Sequence, residues 1–216
     1  ILNLSVPGSG PLWQSLILQK YTKKTNFKTL VWLFYEGNDY QELVEEPNKD
    51  LKLNFVKSPK YLIADDFYIN EKIDYNFFIL FKIWLAEKLS GLNTLIKYFV
   101  LKPIVTDINN YKKIISKTSY FLEKKEIEEK YIFFIPSYTK IAINNKSHPE
   151  FQKFEKEKEK IKKIAKKYNF KFIDFHNSRI FNDKNKKLDV FHYQLPTHFN
   201  KYGYKEMAKY LSKNLD

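Results

Sequence analysis

The sequence predicts an α/β protein: three α/β/α layers around a mostly parallel sheet, with an added helical, aromatic-rich insertion. Three observations predict it. Short apolar runs of strand length recur at Thr29–Tyr35 (TLVWLFY), Tyr131–Ser137 (YIFFIPS) and Phe170–Phe175 (FKFIDF), each separated from the next by helical patterns. The runs are continuously apolar rather than alternating, the pattern of strands covered on both faces. The 216 residues contain only 5 Gly and 8 Pro, and 18% are aromatic, which argues against linker-rich or disordered architecture.

Taken in order, Ile1–Val6 (ILNLSV) has the β-branched and aliphatic character of a buried strand already under way. Pro7-Gly8-Ser9-Gly10-Pro11 ends it, and Pro11 suits the first position of a helix running to about Lys24. The strand Thr29–Tyr35 ends in Glu36-Gly37-Asn38-Asp39, a turn cluster. Tyr40–Asp66 is mixed and carries prolines, so it is expected as a surface excursion. Asp74 to about Val105 is aromatic and helical in pattern, broken near Gly91 and stopped by Pro103. Thr106–Lys130 reads as an amphipathic helix, Phe151–Tyr168 as a charged one, and Asn200 can cap a last helix from Lys201 to about Asn214. With no internal repeat, residues 1–216 are expected as one domain with residues 40–105 as an insertion or cap within it. In such sheets the functional crevice lies beyond the carboxyl ends of the strands. The turns at Pro7–Pro11, Glu36–Tyr40 and Pro136–Ile141 and the segment after Phe175 are therefore the places to search.

Composition narrows the function classes. Without cysteine there is no disulfide framework, thiolate zinc site or cysteine nucleophile. Lys82 splits the richest apolar run, Phe77–Ala86, and no stretch of about 18 apolar residues remains to cross a membrane. No basic leader followed by an apolar segment is visible, so the sequence assigns no compartment. The net charge of +13 invites an anionic partner. Yet Arg179 is the only arginine, and bidentate recognition of phosphate and guanine favours arginine. The densest run, Glu155–Lys167, mixes both signs as a solvated helix face does. Nucleic acid is not the expected partner.

Several residues could carry chemistry. At Gly8-Ser9-Gly10 the backbone can bend freely and present amides beside a helix N-terminus, which favours negative charge; the plain alternative is a tight strand-to-helix turn. Asn38 sits just past a buried strand, where its carboxamide can donate to a developing oxyanion or merely close an Asx-turn. His198 lies on the loop before the last helix, placed to act as base and then acid, or simply as a surface histidine. His148, His176, His192 and His198 show no paired metal-ligand spacing.

Asn3-Leu4-Ser5-Val6-Pro7-Gly8-Ser9-Gly10-Pro11 resembles the second block of the SGNH (GDSL-type) hydrolases. Val31–Asp39 (VWLFYEGND) resembles the third, whose asparagine is the family's N, and His198-Phe199-Asn200 followed by Tyr202-Gly203-Tyr204 and Ala208 is similar to the last. The blocks occur in the family's order from Asn3 to Ala208. The resemblance implies an SGNH/flavodoxin-like sheet. It also implies an oxyanion hole including the Gly8 amide and the Asn38 side chain, with His198 as catalytic base. The family's nucleophilic serine lies in a Gly-Asp-Ser block that this sequence does not contain, so the chain is expected to be an SGNH domain without its first strand and nucleophile block, inactive by itself. The family's aspartate, two or three residues before the histidine, is replaced by Pro196 and Leu195; the expected arrangement is a Ser–His dyad with His198 oriented by a backbone carbonyl, the alternatives being Asp189, the nearest upstream carboxylate, or a weakened site.

The expected activity is hydrolysis of O-acyl esters of carbohydrate or lipid, with no cofactor. An O-acyltransferase of the same fold and a non-catalytic SGNH-like binding domain are the alternatives. Phe77, Phe78, Phe81 and Trp84 in the insertion could offer an apolar cap to an acyl chain or make peripheral contact with a membrane, or bury themselves in an ordinary helical pair.

Overall fold

A computed structural model of the chain describes residues 3–4, 9–22, 26–46, 108–125, 127–143, 145–184, 186–194 and 198–215. The chain divides into two compact units, and the described residues all belong to the unit made of Leu2–Leu51 and Ile104–Asp216. The elements follow in the order α1 (Pro11–Tyr21), β1 (Thr29–Tyr35), α2 (Asp39–Glu45), α3 (Ile108–Glu123), β2 (Glu129–Ile135), α4 (Tyr138–Ala142), α5 (Pro149–Lys167), β3 (Lys171–Asp174) and α6 (Lys201–Asn214). The strands form one sheet in the order β1-β2-β3, parallel throughout, with Thr29–Tyr35 in register with Glu129–Ile135 and Tyr131–Phe134 with Lys171–Asp174.

Period-two alternation sorts the strand side chains onto two cores. Trp32, Phe34, Ile132 and Phe134 face Leu18 of α1, Leu43 of α2, Ile115 of α3 and Ile161 of α5. Tyr131, Phe133, Ile135 and Ile173 face Val190, Phe191 and Phe199, with Met207 of α6. Helices thus cover both faces of a parallel sheet, as expected. Central β2 is buried from Tyr131 to Ile135, whereas β1 hides mainly Trp32 and Phe34 and leaves Leu33 41% exposed. The expectation of two covered faces holds for β2 and in part for β1, whose Val31 and Tyr35 are half-buried against the second core while Leu33 is exposed.

Helix ends obey local chemistry. Pro11 opens α1 and Pro149 opens α5, where a missing N–H costs nothing. Asn200 caps α6 by accepting the Gly203 N–H at 2.9 Å. Gly203 is required by close approach: a Cβ there would lie 2.4 Å from the Val190 carbonyl oxygen.

Three expectations need correction. Asp39–Glu45 is a helix with Tyr40 and Leu43 in the core, so the segment from Tyr40 does not begin as a surface excursion. Glu129 and Lys130 belong to β2 and not to the preceding helix. The five-residue α4 went unread because Ser137-Tyr138-Thr139 carries no helical apolar period. Of the strand expected at Ile1–Val6, only Asn3 and Leu4 are described; neither is in a strand, and Leu4 packs at the edge of the core. The aromatic stretch 74–105, with Phe77, Phe78, Phe81 and Trp84, lies outside the described residues.

Candidate active site

The carboxyl ends of the three strands, at Tyr35, Ile135 and Asp174, lead into the segments singled out above. Gly8 lies outside the described residues, but two amides that follow it have a partner. Glu46, at the end of α2, accepts the Gly10 N–H at 2.7 Å and the Leu12 N–H at 2.8 Å. The amides of this helix N-terminus do attract a carboxylate, and it is the chain's own. Burial raises the Glu46 carboxyl above its ordinary range against the pull of those amides and that of Trp13. A Cβ on Gly10 would meet Glu42 Cβ at 2.3 Å, so glycine lets α2 lie against this turn.

Asn38 occupies the N-cap position of α2, yet its side chain makes no capping hydrogen bond and is exposed. The turn is closed by its neighbour: Asp39 Oδ2 accepts the Tyr35 N–H at 2.9 Å. Asp39 is buried, and burial drives its carboxyl well above the ordinary value, with the nearby charges of Glu46 and Glu42 adding to the rise. Asp39 thus ties the turn back to the end of β1, and the Asn38 carboxamide stays exposed. A Cβ on Gly37 would meet the far end of the Tyr35 ring at 2.4 Å.

His198 is exposed at the foot of a loop that leaves the core at Phe191 and returns at Phe199. Those two residues form an antiparallel bridge, with rings stacked at 4.6 Å. Asn200 fastens the return: its N–H donates to the Val190 carbonyl at 2.8 Å and its Nδ2 to the carbonyls of Asp189 and Phe191 at 2.6 and 3.1 Å. The Asp189 carboxylate accepts from Gln194 Nε2 at 2.8 Å, so its side chain braces the loop that bears His198. Tyr193 and Gln194 both have left-handed backbones, at φ 52° and 55°, a conformation costly for residues with a Cβ.

Both the Asn38 turn, through Glu36, and the segment ending at Gln194 are fastened to the β2–α4 turn. On one side the Ser137 N–H donates to Glu36 Oε2 at 3.0 Å, and the Glu36 N–H donates to the Ile135 carbonyl at 2.9 Å. On the other, the Tyr138 hydroxyl donates to the Gln194 carbonyl at 2.9 Å while its ring packs edge-on against Phe191.

Sequence reasoning missed what lies beneath. Lys140 Nζ, fully buried, reaches Glu155 at 2.7 Å and Glu36 at 3.4 Å; Lys158 Nζ reaches Glu155 at 3.0 Å and Asp174 at 2.8 Å. Asp174 also accepts the His176 N–H at 3.0 Å. Burial raises the Glu36 carboxyl to about 7, against the lowering pull of Lys140 and the Ser137 amide. Burial, joined by the Lys140 charge, lowers the His176 imidazole to about 4. The charged run of α5 is therefore not only a solvated face, since Glu157 and Lys158 turn inward. A signal existed in Asp174, a carboxylate ending an apolar strand run that demands a buried cation. A separate cavity of about 210 Å³, lined by Lys162, Phe172, Asp174, Asn177 and Tyr210 among others, has neither Asn38 nor His198 in its wall.

No family model, no curated protein and no solved structure matches the chain. The fold class is mixed α/β, with a three-stranded parallel sheet among the described residues.

Proposed function

We propose that the chain forms the body of an SGNH-type ester hydrolase, acting on O-acyl esters of a carbohydrate or lipid. The observation that carries this reading is Asn38: a carboxamide at an N-cap position that caps nothing, exposed past the carboxyl end of β1. The shared anchorage of its turn and the His198 loop on Ser137 and Tyr138 supports it.

In the proposed reaction a serine hydroxyl from a Gly-Asp-Ser block outside these residues attacks the ester carbonyl, and His198 accepts its proton. The Asn38 carboxamide and the Gly8 amide donate to the oxyanion. Collapse of the tetrahedral intermediate expels the alcohol, which takes the proton back from His198, and water repeats the sequence to release the acid.

The test is to express the complete open reading frame and follow p-nitrophenyl acetate hydrolysis. The reading expects an upstream Gly-Asp-Ser segment and turnover that falls by about 10²–10⁴ in His198→Ala. Hydrolysis indifferent to His198, or no such serine block, would overturn it.

A further inference from the structure

We infer that Glu36 is a positioning residue that holds the Asn38 turn by means of a bound proton, latched when the carboxyl is protonated and loosened when it is ionised. The inference rests on the hydrolase reading only for its consequence in turnover; the latch itself stands on geometry.

Charge counting inside the cluster identifies the proton's place. Three carboxylates (Glu36, Glu155, Asp174) surround two ammonium groups (Lys140, Lys158). Two close sets satisfy the lysines, Lys140 with Glu155 at 2.7 Å and Lys158 with Asp174 at 2.8 Å. Glu36 is the odd acid. Its side chain is wholly buried and its one ammonium contact is the long one, 3.4 Å, whereas Glu155 keeps 31% of its side chain exposed to water. An ionised Glu36 leaves the cluster with one uncompensated negative charge in a dry place; a neutral Glu36 leaves it balanced.

The other facing groups do not supply the missing cation. Lys158 is engaged with Glu155 and Asp174, Tyr40 of α2 is a buried neutral phenol, Glu157 of α5 is paired with Lys160, Asp39 is itself a buried acid, and burial holds His176 neutral. The raised Glu36 value, about 7, agrees with this assignment.

The sign follows from linkage. Closed, Glu36 holds its proton up to about pH 7; opened to water it releases the proton from about 4.5 upward. Between those values opening releases a proton, so opening becomes easier as pH rises and levels off above about 7. Glu36 is two residues from Asn38 and tied to Ser137, so what opens is the turn that presents the carboxamide.

Residue-resolved hydrogen exchange on the 216-residue chain tests this directly, with rates corrected for intrinsic pH dependence and the Phe133 amide as a core reference. Relative to Phe133, protection of the Ser137 amide should fall by about tenfold per pH unit between pH 5 and 7 and then flatten. Glu36→Gln, a neutral isostere of the protonated state, should abolish that slope. Glu155→Gln makes an ionised Glu36 the balancing partner of Lys140, so the flattening point should move down by about one pH unit. A flat wild-type profile, a slope that survives Glu36→Gln, an unmoved flattening point in Glu155→Gln, or an identical slope at Phe133 overturns the inference. In the complete protein, Glu36→Gln should raise kcat above pH 7 by up to about tenfold with KM constant. Turnover indifferent to His198→Ala would sink the hydrolase reading alone, leaving the exchange result to judge the latch.

Discussion

Two segments carry the candidate site, and they are fastened in opposite ways. The Glu36–Asp39 turn hangs from buried side chains, with Glu36 on Ser137 and Lys140 and Asp39 on the Tyr35 amide. The segments at His192–Gln194 and His198 hang mainly from backbone carbonyls, through Asn200 and Tyr138, around the Phe191–Phe199 bridge, with an exposed Asp189–Gln194 hydrogen bond beside them. Ties through buried titratable side chains are stiff, sensitive to protons and intolerant of losing one member. Ties to backbone carbonyls are indifferent to pH. Side-chain substitutions should therefore hurt the first segment's stability, and backbone crowding the second's.

The largest effect tests the first half of that contrast. Lys140→Met removes the cation shared by Glu36 and Glu155 and should cost about 3 kcal/mol in urea unfolding, because a buried charge loses its partner. The exposure of Glu155 keeps the cost from being larger. A loss near zero would mean the cluster is hydrated and loosely held.

Asn38→Ala sharpens the contrast by separating function from fold at one position. With no capping bond to lose, stability should change by less than about 0.5 kcal/mol, while turnover of the complete protein should drop by about 10²–10³. A marked fall in stability with turnover intact would return Asn38 to a structural role.

The cluster also sets opposing pH slopes. Glu36 has a folded value raised to about 7, so its contribution is present below about 4.5 and is lost as pH climbs to 7. His176 is depressed to about 4, so its contribution is present above about 6.5 and is lost as pH falls through 4. Across pH 4.5–6.5 the two offset each other in the wild type. Buried Asp39 and Glu46, also raised, add a fall of their own, so the test is relative: in thermal melts over that window Glu36→Gln should lose stability with pH less steeply than the wild type, and His176→Phe more steeply. Parallel curves for all three proteins would contradict the assignment.

How much of this was legible beforehand follows from the range of the interactions. β1 at Thr29–Tyr35, α6 at Lys201–Asn214 and the Asn200 cap follow from local pattern, and the structure has them where the pattern puts them. Asn38 and His198 stood out because polar groups just past a strand or just before a helix are placed by short-range geometry. The Glu36–Lys140 tie joins residues 104 apart in sequence, and no window reveals it. The substitution of Asp39 for Asn38 as turn closer was equally hidden, since both residue types favour that role and only packing around Tyr35 and Glu46 decides between them.

Gly203→Ala examines the second segment through its backbone. The added methyl would lie 2.4 Å from the Val190 carbonyl oxygen, the same oxygen that receives the Asn200 N–H. Helix α6 must shift or that bond must lengthen, for a cost of about 2 kcal/mol. Chemical shifts of the His198 imidazole should move as well, because the helix start and the loop foot share this contact. A neutral outcome would show that the loop is not anchored through Val190.

The smallest effect has the opposite sign and reaches the loop's tip. Tyr193 is 89% exposed, so truncating it forfeits almost no buried surface, while its left-handed backbone favours glycine. Tyr193→Gly removes a steric cost and adds unfolded-state entropy, two terms that partly cancel and leave a gain of about 0.5 kcal/mol. A melting point that rises slightly, with the Lys140→Met penalty unchanged in the double variant, would show that strain in the loop and charge in the turn are stored independently. A fall would mean that the tyrosine ring contributes a contact that holds the loop closed, and that the two segments are fastened more alike than their geometry indicates.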